Sequence, residues 1–206
     1  MIKINLKMKK LSLILVSLIL IFKVANASTY SSDPKMFIKE LVNDAISKLS
    51  DKNLNEEEKR DFIEEVATNN IDINALGLYT LGELRKSTDK NNLERYQQVF
   101  EKYFLKSLTS RLTDYSSNKF EVIEVDKKSS NYTIVRSRVL PSDNQPEIKI
   151  DWRVYTKNPN KPLIRDLIVE GLSLARTQKE EFSSILTSNN NDINILITKL
   201  EEFINS

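Results

Sequence analysis

The sequence predicts an α+β fold, because two different periodicities of apolar residues divide the chain. In the first half, apolar residues recur every three to four positions, which is typical of helices buried on one side. Between Phe120 and Val169, alternation and short apolar runs indicate strands. The helical period then returns near the carboxyl end. We therefore expect a twisted four-stranded antiparallel sheet packed against several helices.

The length of 206 residues indicates one domain behind a processed segment. We expect the processed segment to be residues 1–27, and the domain to be residues 28–206. Within the domain, residues 28–116 are expected to be helical, 117–174 to form the sheet, and 175–206 to form carboxyl-terminal helices.

Capping residues and apolar stripes predict the first two helices. Asp33 followed by Pro34 is typical of an N-cap and the first helical position. The apolar stripe behind them repeats every four residues from Phe37 to Leu49. A second helix is expected after Asn55. Three glutamates follow it, and their negative charges would stabilise the positive end of the helix dipole. Its expected buried side consists of Phe62, Ile63 and Val66.

Two further helices are expected before the sheet. Asp72 is a suitable cap for a third helix from Ile73 to Arg85, which contains Gly77 and Gly82. Glycine costs a helix about 1 kcal/mol relative to alanine, so close packing or a ligand would explain these two positions. An aromatic and aliphatic stripe with a helical period predicts a fourth, long helix from Asn92 to Tyr115.

Four segments are predicted to be strands, joined by links too short for parallel crossovers. The third strand shows the cleanest alternation of apolar and charged residues. The four strands are expected at Phe120–Val125, Tyr132–Leu140, Ile148–Val154 and Leu163–Val169.

A turn-and-helix signal follows the fourth predicted strand. Gly171 indicates a bulge or a close approach by another group. Thr177 and Glu180 have the spacing of a capping box, which predicts that the next helix begins there. A terminal amphipathic helix is expected from Ile193 onwards.

The amino terminus resembles a secretory signal peptide. Lysines precede an apolar segment from Leu11 to Phe22, and Ala25 and Ala27 supply small residues for cleavage before Ser28. As a helix the apolar segment would span about 18 Å, short of the ~30 Å hydrocarbon layer of a bilayer. We therefore expect a cleaved, exported protein, located in the periplasm, rather than an anchored one.

Composition excludes several classes of function. Residues 1–27 carry five lysines and no acid, so without them the net charge falls from +2 to −3, which gives no electrostatic case for nucleic-acid binding. The chain has no histidine and no cysteine, which removes the usual metal ligands and nucleophile–base arrangements. Asp151, Asp166 and Glu170 are conceivable catalytic acids, but structural roles are expected for them. No catalytic residue, metal or cofactor is predicted.

Several motifs occur in a characteristic order along the chain. They are Asp72, Leu81-Gly82, the series Tyr96, Phe100 and Tyr103, the segment Asp151-Trp-Arg-Val154, and Asp166-Leu-Ile-Val-Glu-Gly-Leu-Ser173 with Phe182, Ile185 and Leu186. Together they resemble the MlaC family of periplasmic phospholipid-binding proteins, also called toluene-tolerance auxiliary proteins. The resemblance covers the chain from Asp33 to Phe203, although Leu84 and Leu163 stand where an aromatic residue is common in the family.

The resemblance implies a carrier that holds phospholipid acyl chains in an apolar cavity between sheet and helices. Its implied partners are an inner-membrane ABC transporter complex and an outer-membrane lipoprotein complex, between which it would move lipid and so sustain outer-membrane lipid asymmetry. A monomer is expected. We expect the lipid-binding residues to be Leu78, Leu81, Phe100, Phe104 and Leu108 on the helices, opposite Ile148, Ile150, Trp152, Val154, Leu167 and Val169, with Gly171 leaving room for ligand or helix.

Two alternatives remain open from the residues alone. One is a periplasmic chaperone or lipoprotein carrier, whose ligand is a polypeptide. The other is a small enzyme on a related cone-shaped α+β scaffold, acting on an apolar substrate through Asp151 or Asp166. Apolar periodicity cannot separate them, because a filled core and a lipid-lined cavity use the same residues.

Overall fold

A computed structural model describes residues 30–112, 119–141 and 146–206. The predicted signal peptide lies outside the described residues. The α+β fold predicted from the sequence is confirmed. Its helices are α1 (Pro34–Leu49), α2 (Glu56–Asn70), α3 (Ile73–Thr80), a 3₁₀ helix (Gly82–Lys86), α4 (Lys90–Leu112), α5 (Leu174–Thr187) and α6 (Ile193–Asn205).

The strands form one antiparallel sheet in sequence order. All four predicted strands are present, and a fifth, two-residue strand pairs with the last of them, because the chain turns back at Glu170 and Gly171. The strands are β1 (Phe120–Ser129), β2 (Tyr132–Val139), β3 (Ile148–Tyr155), β4 (Leu163–Val169) and β5 (Leu172–Ser173).

The predicted helix caps are confirmed at three positions. The Asp33 side chain accepts from the Met36 N–H ahead of Pro34, and Asp72 accepts from the Ala75 N–H. Asn55 forms a reciprocal capping box with Glu58, whose carboxylate accepts from the Asn55 N–H at 2.8 Å. Each cap satisfies backbone donors that the first turn of a helix leaves free.

Two predicted helix bounds were wrong. The third helix ends at Thr80 rather than Arg85, because Gly82 adopts a positive φ of 57° and the chain continues as a 3₁₀ helix. The helix after the sheet begins at Leu174 rather than after Thr177, because Ser173 is its N-cap and accepts from the Arg176 N–H.

Two apolar clusters form the interior. The first cluster lies among α3, α4, α5 and α6, and Tyr96, Leu196 and Ile197 are fully buried in it. The second cluster lies where α1 covers the inner face of the sheet, around Phe37 and Val154. In the described part of the chain, none of the helices combines the length and the apolar character needed to cross a membrane.

Candidate functional site

An apolar cavity of 260 Å³ lies between the inner face of the sheet and the hairpin formed by α1 and α2. Every described residue on its wall carries an aliphatic or aromatic side chain. The wall consists of Leu41, Val42, Ala45, Ile46 and Leu49 on α1; Phe62, Ile63, Val66 and Ala67 on α2; Ile71; Leu108 on α4; and Phe120, Val139, Ile150, Trp152, Ile164, Leu167 and Val169 on the sheet.

Strand alternation explains why the sheet contributes an apolar wall. In β3, Ile150 and Trp152 point inward while Asp151 and Arg153 lie on the other face of the sheet. A bulge in β4 opposite Arg153 and Val154 adjusts the register, so that Leu167 and Val169 still pair with Trp152 and Ile150. The charged residues are therefore kept off the cavity wall.

The one polar atom of Trp152 is satisfied within the wall. Its indole N–H donates to Ser137 Oγ at 2.8 Å, and the Ser137 hydroxyl donates to the Ile150 carbonyl at 2.8 Å. Burial of an unsatisfied donor would cost about 1–3 kcal/mol. This chain of hydrogen bonds lets a large aromatic ring lie against hydrocarbon without that cost.

Five of the predicted lining residues lie on the wall of this cavity: Leu108, Ile150, Trp152, Leu167 and Val169. They come from one helix and two neighbouring strands. Their contact with lipid stays a prediction, but the structure brings their side chains to one apolar space.

The other predicted lining residues lie elsewhere. Leu81, Phe100 and Phe104 belong to the helical cluster, in which α3 and α4 pack against α5 and α6. Leu78 lies half-buried on α3, away from the cavity wall. Val154 is fully buried under α1, beyond the cavity.

Ile148 and Gly171 also lie off the wall of the cavity. Ile148 is half-buried at the start of β3. A Cβ at Gly171 would meet no described protein atom within 4 Å, so the glycine is not needed to make room for the covering helix, and its role beside a ligand stays a prediction. Its φ of 83° shows the physical reason for glycine, which is a turn conformation that other residues enter at a cost.

The residues that sequence reasoning missed belong mainly to α1 and α2. These two helices supply nine of the wall residues, including Ala45, Ile46 and Phe62. Their apolar stripes were visible in the sequence, but periodicity shows that a helix face is buried and does not show what it is buried against.

The three acids considered for catalysis make structural contacts. Asp166 is 6% exposed and accepts hydrogen bonds from Ser173 Oγ at 2.7 Å and the Ala175 N–H at 3.0 Å, so it fastens the start of α5 to β4. Asp151 lies 3.9 Å from Arg136 on the outer face of the sheet. Glu170 accepts from the backbone N–H of Lys149. None of these acids lies on the cavity wall.

The family of the chain is decided by its sequence match. The model of the MlaC protein family matches residues 39–202. The chain belongs to the MlaC family. No curated protein matches it in sequence.

A solved structure of a phospholipid-binding protein supports the fold. The chain is similar to the phospholipid-binding protein from Ralstonia solanacearum, solved in complex with a phospholipid at 1.53 Å resolution. The TM-score is 0.66 at 18% sequence identity, over 81% of this chain and 94% of that chain. At this identity the likeness shows a shared fold.

Proposed function

We propose that this protein binds phospholipid by enclosing acyl chains in the apolar cavity, and that it carries lipid across the periplasm. The observation that carries the proposal is the wholly apolar wall between the α1–α2 hairpin and the sheet. The chain belongs to the MlaC family, and the Ralstonia protein was solved with a phospholipid bound. Both findings support phospholipid as the ligand. The proposal needs no catalytic step.

The energetics suit a carrier. Each methylene removed from water contributes about 0.8 kcal/mol, so a long acyl chain resists crossing water by on the order of 10 kcal/mol. The cavity exceeds the ~150 Å³ apolar space that accommodates a benzene molecule. Apolar walls replace the bilayer interior while the lipid is in transit.

The location and partners belong to the same proposal. The signal-like residues 1–27 support export to the periplasm. Family membership supports transfer between an outer-membrane lipoprotein complex and an inner-membrane ABC transporter. Both docking events are transient in this scheme, since a carrier has to leave each complex.

The test places a charge on the cavity wall. Ile150→Asp and Val169→Asp should each abolish lipid loading, because an ionised carboxylate cannot share a dry space with hydrocarbon. Glu57→Lys, at an exposed position on α2, should keep the wild-type amount of lipid. Lipid is measured by organic extraction of the purified proteins and mass spectrometry.

A second variant separates loss of ligand from loss of fold. Ala45→Phe fills the cavity with hydrocarbon and should lower the amount of bound lipid while the protein stays folded by circular dichroism. If folded Ile150→Asp, Ala45→Phe and Glu57→Lys all extract with equal lipid, the cavity is not the lipid site. Recovery of peptides instead of lipid would favour the chaperone alternative.

A further inference from the structure

A second pocket, of 210 Å³ and mixed polarity, adjoins the apolar cavity. Phe62 and Val66 line both spaces, so the pocket and the cavity share a wall on α2. The remaining residues of the pocket are Tyr30, Lys48, Glu65, Asn69 and Asn70. An amphiphile with its tails in the cavity would therefore have a polar space directly beside it.

The pocket contains one cation and one anion. Lys48 lies in the last turn of α1, Glu65 lies on α2, and both side chains are exposed. Within the described ranges, neither of them forms an ion pair. Asp44, one helical turn before Lys48, accepts a hydrogen bond from the Tyr30 hydroxyl at 2.7 Å. Lys48 and Glu65 are thus available to charges of a ligand.

The pocket also offers hydrogen-bond acceptors. The side-chain amide of Asn69 donates to the Glu65 carbonyl at 3.0 Å, and that of Asn70 donates to the Val66 carbonyl at 2.9 Å. Among the residues that the structure describes, none donates to the two amide oxygens. Although Asn70 as a whole residue is 8% exposed, its amide oxygen is not a buried unpaired atom and therefore remains open to a donor from outside.

We propose that this pocket binds the headgroup of the lipid and selects a zwitterionic one, with a phosphate and an ammonium group. The inference rests on the proposed carrier function. Lys48 pairs with the phosphate, while Glu65 and the oxygens of Asn69 and Asn70 accept from the ammonium. A phosphoglycerol headgroup supplies the phosphate but no cation, so it leaves Glu65 unpaired beside an added negative charge.

The test offers two lipids in competition. The protein is stripped of lipid, incubated with vesicles of equimolar phosphatidylethanolamine and phosphatidylglycerol, and reisolated for mass spectrometry. Wild type should be enriched in phosphatidylethanolamine relative to the vesicles. Glu65→Lys should shift the ratio towards phosphatidylglycerol by about three- to tenfold.

Matched controls carry the same charge changes outside the pocket. Glu57→Lys, on an exposed position of α2 that is further from Glu65, should keep the wild-type ratio of headgroups. Lys48→Glu should reduce uptake of both phospholipids severalfold, because both contain the phosphate, whereas Lys39→Glu on α1 should not.

The possible outcomes distinguish a failure of headgroup selection from a failure of the carrier function. If Glu65→Lys and Glu57→Lys give the same ratio at normal total lipid, the headgroup assignment is overturned and the carrier function stands. A wild-type ratio equal to that of the vesicles overturns the selectivity in the same way. A wild-type protein that takes up no lipid from the vesicles overturns both.

Discussion

At the scale of single residues, Trp152 shows how a polar atom is accommodated in an apolar wall. Alternation along β3 correctly predicts that this side chain faces inward. Its partner Ser137 is fully buried on β2 and lies near Trp152 because β2 and β3 are adjacent in the sheet. The sequence predicts the orientation of Trp152 but not this hydrogen bond, which depends on strand register.

Tyr96 gives a prediction at the same scale. Burial raises the pKa of its phenol far above the usual 10.0, and its hydroxyl lies 2.7 Å from Thr80 Oγ1. The unfolded chain therefore loses this proton above about pH 10 while the folded protein retains it. We expect the free energy of unfolding to fall with rising pH above this point, by about 1.4 kcal/mol per pH unit from Tyr96.

Urea denaturation between about pH 9 and pH 11 measures this effect. Tyr96→Phe should remove the added slope, although it also costs about 1 kcal/mol at neutral pH through loss of the hydrogen bond to Thr80. Tyr79→Phe, at an exposed tyrosine, should retain the wild-type slope. Parallel pH profiles for wild type and Tyr96→Phe would contradict the assignment.

At the scale of elements, the link between α2 and α3 is fastened to the sheet by one residue. Asp72 caps α3, its backbone N–H donates to the Ile164 carbonyl at 2.9 Å, and its carboxylate lies 2.7 Å from Arg165. The Arg165 guanidinium also lies 3.4 Å from the centre of the Tyr155 ring. Because Asp72 precedes Arg165 by 93 positions, no local pattern in the sequence predicts this connection.

Replacing Arg165 tests the importance of that link. Arg165→Lys should lower the free energy of unfolding by about 1–2 kcal/mol, because lysine cannot donate through two nitrogens to Asp72 while lying flat on Tyr155. Arg176→Lys, in an exposed pair on α5, should change it by less than about 0.5 kcal/mol. Equal effects of the two substitutions in urea denaturation would contradict a special role for Arg165.

The sequence predicted where helices begin more successfully than which elements they pack against. Caps at Asp33, Asn55 and Asp72 could be identified because they act within four residues of sequence. Of the described α3 and α4 residues that were expected to line the cavity, Leu108 alone lies on its wall, since α4 presents Tyr96 and Phe100 to the helical cluster. Several helices carry similar apolar stripes, and only one face of the sheet has to be covered. Long-range packing decides which of these helices covers that face.

At the scale of the whole molecule, a ligand enclosed by the cavity should stabilise the fold by mass action. A ligand that binds only the folded state raises the free energy of unfolding by RT ln(1 + [L]/Kd), which is about 2.7 kcal/mol at a hundredfold excess over Kd. We expect lipid-loaded protein to unfold several degrees higher than stripped protein in calorimetry. Ala45→Phe should show a smaller difference between its lipid-treated and stripped forms, since its cavity is filled.

A loaded protein that melts at the same temperature as the stripped protein would contradict a site formed by the fold. A lipid with equal affinity for the folded and unfolded chains leaves the equilibrium between them unchanged. The comparison therefore tests preferential binding to the folded state, whereas extraction tests only association.

The division of the interior into two clusters has a consequence for how the cavity changes size. At 260 Å³ it lies below the ~300–1,000 Å³ of pockets that enclose drug-sized ligands, so two acyl tails require it to swell. The α1–α2 hairpin supplies nine of the described wall residues, whereas the densely packed cluster among the later helices reaches the cavity through Ile71, which packs on the cluster and lines the cavity. The α1–α2 hairpin can therefore move outward while the cluster among the later helices keeps its shape. Acyl tails of different length would then change the tilt of the hairpin.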